Sequence, residues 1–334
     1  MSNKTTEKKN MPILLKPAFK DYLWGGRRLK DDFSKETAMS PLAESWECST
    51  HPAGECRAVG GCFDGMKLRE ILEANPSFFG VREHVGGELP ILVKLIDAEN
   101  DLSVQVHPDD EYADKNENGQ RGKTEMWYVI DAREDSSLIY GLKEKITKEQ
   151  LKESAVSGSM ERYLQRVPIS KNDVFYISAG TIHAIGGGAI IAEVQESSDL
   201  TYRLYDYDRI DKNGNKRPLH IDKAAQVADL NVAGSPKQPM RVLKYSMGMA
   251  RELLGRCRYF EVYRMLINTE RCKSMACYEA NPHTYRVLLC IDGCGSISCM
   301  GESVNFFKGD CFFVPASTPL CHLHGKAQFL DIIG

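Results

Sequence analysis

The sequence predicts a mainly β protein built as two jelly-roll barrels with helical insertions, and three observations carry that expectation. Apolar runs of strand length recur along the chain, as in PILVKLIDA (90–98), TEMWYVIDA (124–132) and AIIAEVQE (189–196), with Gly, Pro and Asp turn signals between them. The pattern repeats internally: DVFYISAGTIHAIGG from Asp173 resembles DCFFVPASTPLCHLHG from Asp310, and WYVIDA ending at Ala132 resembles LLCIDG ending at Gly293. Both copies then follow the same order of strands and turns, which fits two barrels of one kind. The expected boundaries are a polar, disordered tail at 1–11, a first barrel with helical insertions at 12–235, and a degenerate second barrel without a metal site at 236–334.

Taken in order, KLREILEANPSFFG (67–80) has apolar residues at helical spacing and stops at a Pro and a Gly, so it predicts a helix. Buried strands follow at 90–98 and 102–107, then at TEMWYVIDA and SSLIYGL. The charged stretch 143–167 predicts a helical excursion between strands. DVFYISAGTIHAIG and AIIAEVQESSDLTYRLYDY return to strands, joined by Gly186-Gly187-Gly188. The glycine triplet lacks a Walker pattern and a following helix, so a strand-to-strand turn explains it better than a phosphate loop. Residues 208–239 read as loop, short helix and Pro/Gly-containing linker, and short strands fill 241–334.

At 334 residues the chain has length for about two domains. A net charge of -3 with no basic stripe argues against nucleic acid as a partner. No apolar run approaches the ~18 residues of a membrane span, and MSNKTTEKKNMPILLKP lacks a signal-peptide core, so a cytoplasmic location is expected. Eleven cysteines, an odd number without an export signal, predict free thiols. Eight of them lie between Cys257 and Cys321, alternating with apolar residues, most of them as small core fillers. A zinc pair from Cys290 and Cys294, or Cys294 and Cys299, would need a second matching pair, and none exists.

The candidate site rests on four residues. Gln105 and His107 in DLSVQVHPDD are two apart, so on a strand they share a face. Glu125 opens the apolar run of GKTEMWYVI, and His183 follows a glycine turn in SAGTIHAIGG. The repeat sharpens them. With Asp173 on Asp310, His183 falls opposite Leu320; with Asp131 on Asp292, Glu125 falls opposite Arg286. A purely structural role would not predict their loss from one copy alone. Two imidazoles, a carboxylate and an amide suit zinc with an open position, and suit Fe(II) or Mn(II) as well. No GxSxG or other nucleophile pattern supports covalent catalysis.

WGG (24–26), LAESWECSTHP (42–52), PILVKLIDAENDLSVQVHPDD (90–110), GKTEMWYVIDA (122–132), AGTIHAIGGG (179–188) and ESSDLTYRLYDYDR (196–209) together resemble the type I mannose-6-phosphate isomerases, zinc-dependent members of the cupin superfamily, in their short bacterial form. The resemblance runs from about Pro12 to the end and is most specific between Pro90 and Arg209. It implies one Zn2+ per chain held by Gln105, His107, Glu125 and His183, with Lys123 lining the site and Asp199 and Arg203 at the catalytic cleft. Arg203 suits an anionic intermediate or a phosphate because it does not deprotonate, whereas Lys123 and Asp199 suit proton handling or orientation. Lys94 and Ser103 are further candidates for substrate contact, although Lys94 can also simply snorkel. The implied reaction interconverts D-mannose 6-phosphate and D-fructose 6-phosphate through an enediol(ate). Its partner is a small sugar phosphate, with monomer and homodimer both open. The rivals are a cupin Fe(II) oxygenase and a non-catalytic sugar-binding cupin.

Overall fold

The computed structural model describes residues 10–81, 86–210, 214–236 and 241–334, so the tail expected at 1–11 lies almost wholly outside the described residues. The chain is mostly antiparallel β, in sheets of ten, six and five strands. Among the described residues no sheet closes on itself, so the expected barrels are stacked open sheets.

The repeat is exact at the level of pairing. In the six-stranded sheet the order is Val174–Ile177, Glu125–Ala132, Ala189–Glu196, Ile91–Ala98, Glu44–Cys48, Ala18–Lys20. In the ten-stranded sheet the corresponding order is Cys311–Val314, Arg286–Cys299, Cys321–Ile333, Glu261–Asn268, Met249–Arg256, Lys244–Ser246. Glu125 pairs with Ile177 and Gln195, and Arg286 pairs with Val314 and Ile333. Even the irregularities coincide: a bulge between Trp46 and Cys48 matches one between Leu253 and Gly255, and a break at Ile190/Ile191 matches one at Cys290/Asp292. Bulges re-aim side chains, so their shared placement shows the same local design in both copies.

Strand alternation then sorts the core. Met126, Tyr128 and Ile130 face the ten-stranded sheet, packing with Val262, Val287, Leu289 and Ile332. Trp127 and Val129 point the other way, onto Leu138, Ile185 and Phe175 beneath the five-stranded sheet. Glu125 shares the parity of Trp127 and so faces this second layer, where the site lies. The five-stranded sheet runs Tyr202–Tyr205, Val104–Val106, His183–Ile185, Ser137–Leu142, Leu164–Pro168. Two early strands, Ile13–Lys16 and Arg57–Val59, extend the ten-stranded sheet beyond Cys311–Val314, tying the start of the chain to the second copy.

Three expectations need adjustment. The helix expected over 67–80 is α-helical only at Leu68–Ala74, with a 3₁₀ turn at Pro76–Phe79, as a proline at the first position of a new turn permits. The excursion at 143–167 forms one helix at Lys148–Val156, capped by the Thr147 hydroxyl, and its end Leu164–Pro168 is a strand paired to Ser137–Leu142. The strands after 241 are not uniformly short: Arg286–Cys299 has 14 residues and Cys321–Ile333 has 13. The Gly186–Gly188 turn is as expected, because a Cβ on Gly186 would lie 2.2 Å from the Ser137 carbonyl oxygen. All eleven cysteines are free thiols.

Candidate metal centre and cleft

Three neighbouring strands of the five-stranded sheet bring the first half of the site together. Gln105 sits between His183 on one side and Arg203 on the other, each its direct cross-strand partner. His183 opens its strand just after the Ala179–Gly180 turn. The six-stranded sheet supplies Glu125 from across the layer. His107 Nε2 lies 3.2 Å from Glu125 Oε1, His183 Nε2 lies 3.7 Å from Glu125 Oε2, and the imidazole centroids are 4.8 Å apart. All three side chains are buried, and their ligating atoms fall within 4.8 Å of one another.

The donor set fits a divalent cation. His107 Nε2 and both Glu125 oxygens are buried without a hydrogen bond of good geometry, an arrangement that costs free energy unless something else engages them. His183 Nδ1 lies 2.8 Å from the Thr181 carbonyl oxygen. Donating there fixes the tautomer and leaves the Nε2 lone pair free, as in histidines that bind metals. The Gln105 amide nitrogen lies 3.4 Å from that Nε2; turning the amide over would present its oxygen instead. Burial and the Lys123 ammonium push the His107 imidazole down to about 3, and burial likewise lowers His183. Both are therefore neutral ligands at neutral pH. Burial alone would raise the Glu125 carboxyl, but Lys123 and His107 outweigh it and hold the group well below the ordinary range. Lys123 Nζ is 3.0 Å from Glu125 Oε1, on the side that the two-residue spacing predicts.

A cavity of about 220 Å3 opens beside this group. Its lining includes Lys94, Ser103, Gln105, Lys123, Asp199 and Arg203, so every residue expected at the cleft borders one space. Arg203 Nε donates to Ser103 Oγ at 3.3 Å and Nη1 donates to the Pro218 carbonyl at 3.0 Å, which fixes its guanidinium at the cavity wall. Asp199 is exposed, precedes the strand that begins at Tyr202, and borders the same cavity as Arg203. Two guanidinium groups, Arg203 and Arg217, two ammonium groups and a metal-type donor set around a space this size suit a small phosphorylated polyol.

Comparison with known proteins gives the same answer. The model of the phosphomannose isomerase type I catalytic domain matches residues 13–135, and that of the mannose-6-phosphate isomerase cupin domain matches 251–333. Mannose-6-phosphate isomerase ManA of Bacillus subtilis is 37% identical, over 95% of this chain and 97% of its own. The chain belongs to the type I phosphomannose isomerase family. The mannose-6-phosphate isomerase of Streptococcus mutans is 35% identical over 96% of the chain. The crystal structure of the mannose 6-phosphate isomerase from Bacillus subtilis superimposes with a TM-score of 0.88 at 35% identity, covering 96% of this chain and 99% of that one. The expectation of a cupin-type isomerase holds. Among the described residues no helix is long and apolar enough to cross a membrane.

In this family member the cleft contains more than the sequence reading proposed. Glu193 and Glu44 flank Lys94, at 3.1 and 3.8 Å from its Nζ, and all three are buried at the cavity. Each carboxylate also accepts a tryptophan indole N–H, Glu193 from Trp127 at 2.8 Å and Glu44 from Trp46 at 2.7 Å. Burial alone would lower the Lys94 ammonium, but Glu193 and Glu44 outweigh it and raise it. Burial and the neighbouring Glu125 raise Glu193. Lys94 is thus an internal cation between two fixed carboxylates and does not snorkel to solvent. The usable signal was Glu193 inside the apolar run AIIAEV, where a charge has to be paired to be buried.

Proposed function

We propose that this chain interconverts D-mannose 6-phosphate and D-fructose 6-phosphate, with one Zn2+ held by His107, Glu125, His183 and Gln105. The observation that carries the reading is the buried His107–Glu125–His183 cluster, in which His107 Nε2 and both Glu125 oxygens lack good hydrogen bonds, beside a small cation-lined cavity. When bound, the metal would supply Lewis-acid polarisation of the sugar oxygens at C1 and C2.

The remaining work falls to the chain. Aldose–ketose exchange moves a proton between C1 and C2 through an enediol(ate), so the site needs a proton carrier and fixed positive charge. Lys123, with its ammonium 3.0 Å from Glu125, stands at the junction of metal group and cavity, placed to hand a proton to or from the sugar oxygens. Arg203, pinned to Ser103 and Pro218, offers a cation that needs no reorganisation as charge develops. Asp199, at the exposed rim, would orient sugar hydroxyls. The Lys94–Glu193–Glu44 chain sets the charge of the inner wall and accepts hydroxyls of the open-chain sugar. The cytoplasm is the proposed location.

His183→Ala tests the assignment. It removes one ligand from a buried cluster, so bound metal by elemental analysis and mannose 6-phosphate turnover should fall together, each by at least tenfold. Full turnover in that variant would overturn the site.

A further inference from the structure

The duplicated pairing lets the two copies be compared position by position, and the second copy has its own cavity of about 760 Å3 in the matching place. There Arg286 stands where the first copy has Glu125, and Arg251 stands where it has Glu44. Asp331 occupies the position of Glu193, and Tyr263 that of Lys94. Two carboxylates of the catalytic copy are thus replaced by guanidinium groups. The cavity wall carries Arg241, Lys244, Arg251, Arg256 and Arg286 and no carboxylate.

We propose that this second cavity is a binding site for a phosphomonoester, separate from the isomerase cleft and going beyond the isomerase reading. Asp331 holds Arg251 and Arg286, the latter at 2.9 Å, and accepts from the Tyr278 hydroxyl at 3.2 Å. That network fixes the two guanidinium groups without using them up. The Nε of Arg251 and the Nε of Arg286 are buried with no hydrogen-bond partner among the described residues, while Arg241 reaches Glu252 and the Asn172 carbonyl. Arg286 itself is only 9% exposed. One Asp331 carboxylate balances only one of the two guanidinium charges of Arg251 and Arg286, and a phosphate offers further negative charge and acceptors in matching fork geometry. Positive charge is in excess: Asp331 takes Arg251 and Arg286, Glu252 takes Arg241 and Glu261 takes Arg256, so three carboxylates stand against the five cations of the wall, Lys244 included. Leu253, Met249 and Ile333 line the same space and give it a side for the carbon portion of an ester. A network that served packing alone would have no use for a cavity several times the size of a phosphate.

Calorimetric titration of the metal-loaded, full-length protein with inorganic phosphate and with glycerol 3-phosphate tests this. The expected result is two equivalents bound by the wild type, with glycerol 3-phosphate at least tenfold tighter than phosphate at the second. Arg241→Gln combined with Lys244→Gln should weaken that equivalent at least tenfold, as should Arg286→Met. Turnover of mannose 6-phosphate at saturation should stay within twofold in the Arg241→Gln/Lys244→Gln protein. The double variant alters the cavity rim and leaves the Asp331 pair intact, so it decides the matter if Arg286→Met does not fold. A single equivalent in the wild type, or two unchanged equivalents in the folded variants, would overturn the proposal. Equal affinity for the two probes would overturn the assignment to an ester.

Discussion

Lys94→Met removes the cation between Glu193 and Glu44 while nearly preserving volume, and its consequences can be worked out from the site. Lys94 and Glu193 are each 4% exposed and Glu44 is 8% exposed, so solvent screens the pair little. Removing one partner of a buried ion pair costs about 3–5 kcal/mol, because the remaining charge is left uncompensated. The two indole donors from Trp127 and Trp46 persist and soften the loss, which places the expectation near the lower end, about 3 kcal/mol. The pH dependence is the sharper part. Glu193 is already raised above its ordinary 4.5, and losing the ammonium raises it further. A raised carboxyl makes the folded protein bind more protons than the unfolded chain above pH 4.5, so the variant loses stability as pH climbs from there. Urea midpoints of wild type and variant should therefore diverge between pH 5 and 8 and converge towards pH 4.5. A pH-independent difference, or one below about 1 kcal/mol, would refute the claim that Lys94 compensates buried carboxylates.

Two further outcomes follow from the metal group. With His107 lowered to about 3 and His183 also lowered, protons compete less for these two imidazoles than for ordinary histidines, so zinc affinity by competition with a chelating dye should fall less between pH 7 and 5 than two unperturbed histidines would make it. The same depressed values make the unfolded chain bind more protons between about 3 and 6.5, so the metal-free protein should lose urea stability as pH falls through that window. Lys123→Met should lower kcat for mannose 6-phosphate by about 10²–10⁴-fold while retaining bound zinc, measured by initial rates and elemental analysis.

Much of the first copy was legible because its chemistry follows local rules. Strand alternation put Gln105 and His107 on one face, and the structure brings Gln105 beside His183, His107 beside Glu125, and Lys123 to the Glu125 side. The repeat was visible as text and proved to hold down to paired residues and bulges. What escaped depended on partners far along the chain. Glu193 and Glu44 look like stray charges in strands until Lys94 is placed between them by the sheet order. Ile13–Lys16 carries no sign that it pairs with Phe312 and its neighbours some three hundred residues away. LQRVP alternates with period two, yet it follows a helical pattern closely enough to be absorbed into it; its pairing to Ser137–Leu142 decides it as strand. Asp199 lies before the strand that begins at Tyr202 and reaches the cleft from the loop.

The central claim is that a metal-dependent isomerisation occurs at His107, Glu125 and His183. Its most direct test is to strip the purified protein with a chelator, add back one equivalent of zinc, iron(II) or manganese(II), and follow mannose 6-phosphate turnover beside oxygen consumption. The account predicts loss of turnover on stripping, recovery with zinc, and no oxygen uptake with any metal. Undiminished turnover in the stripped protein, or oxygen uptake on adding iron(II), would contradict it.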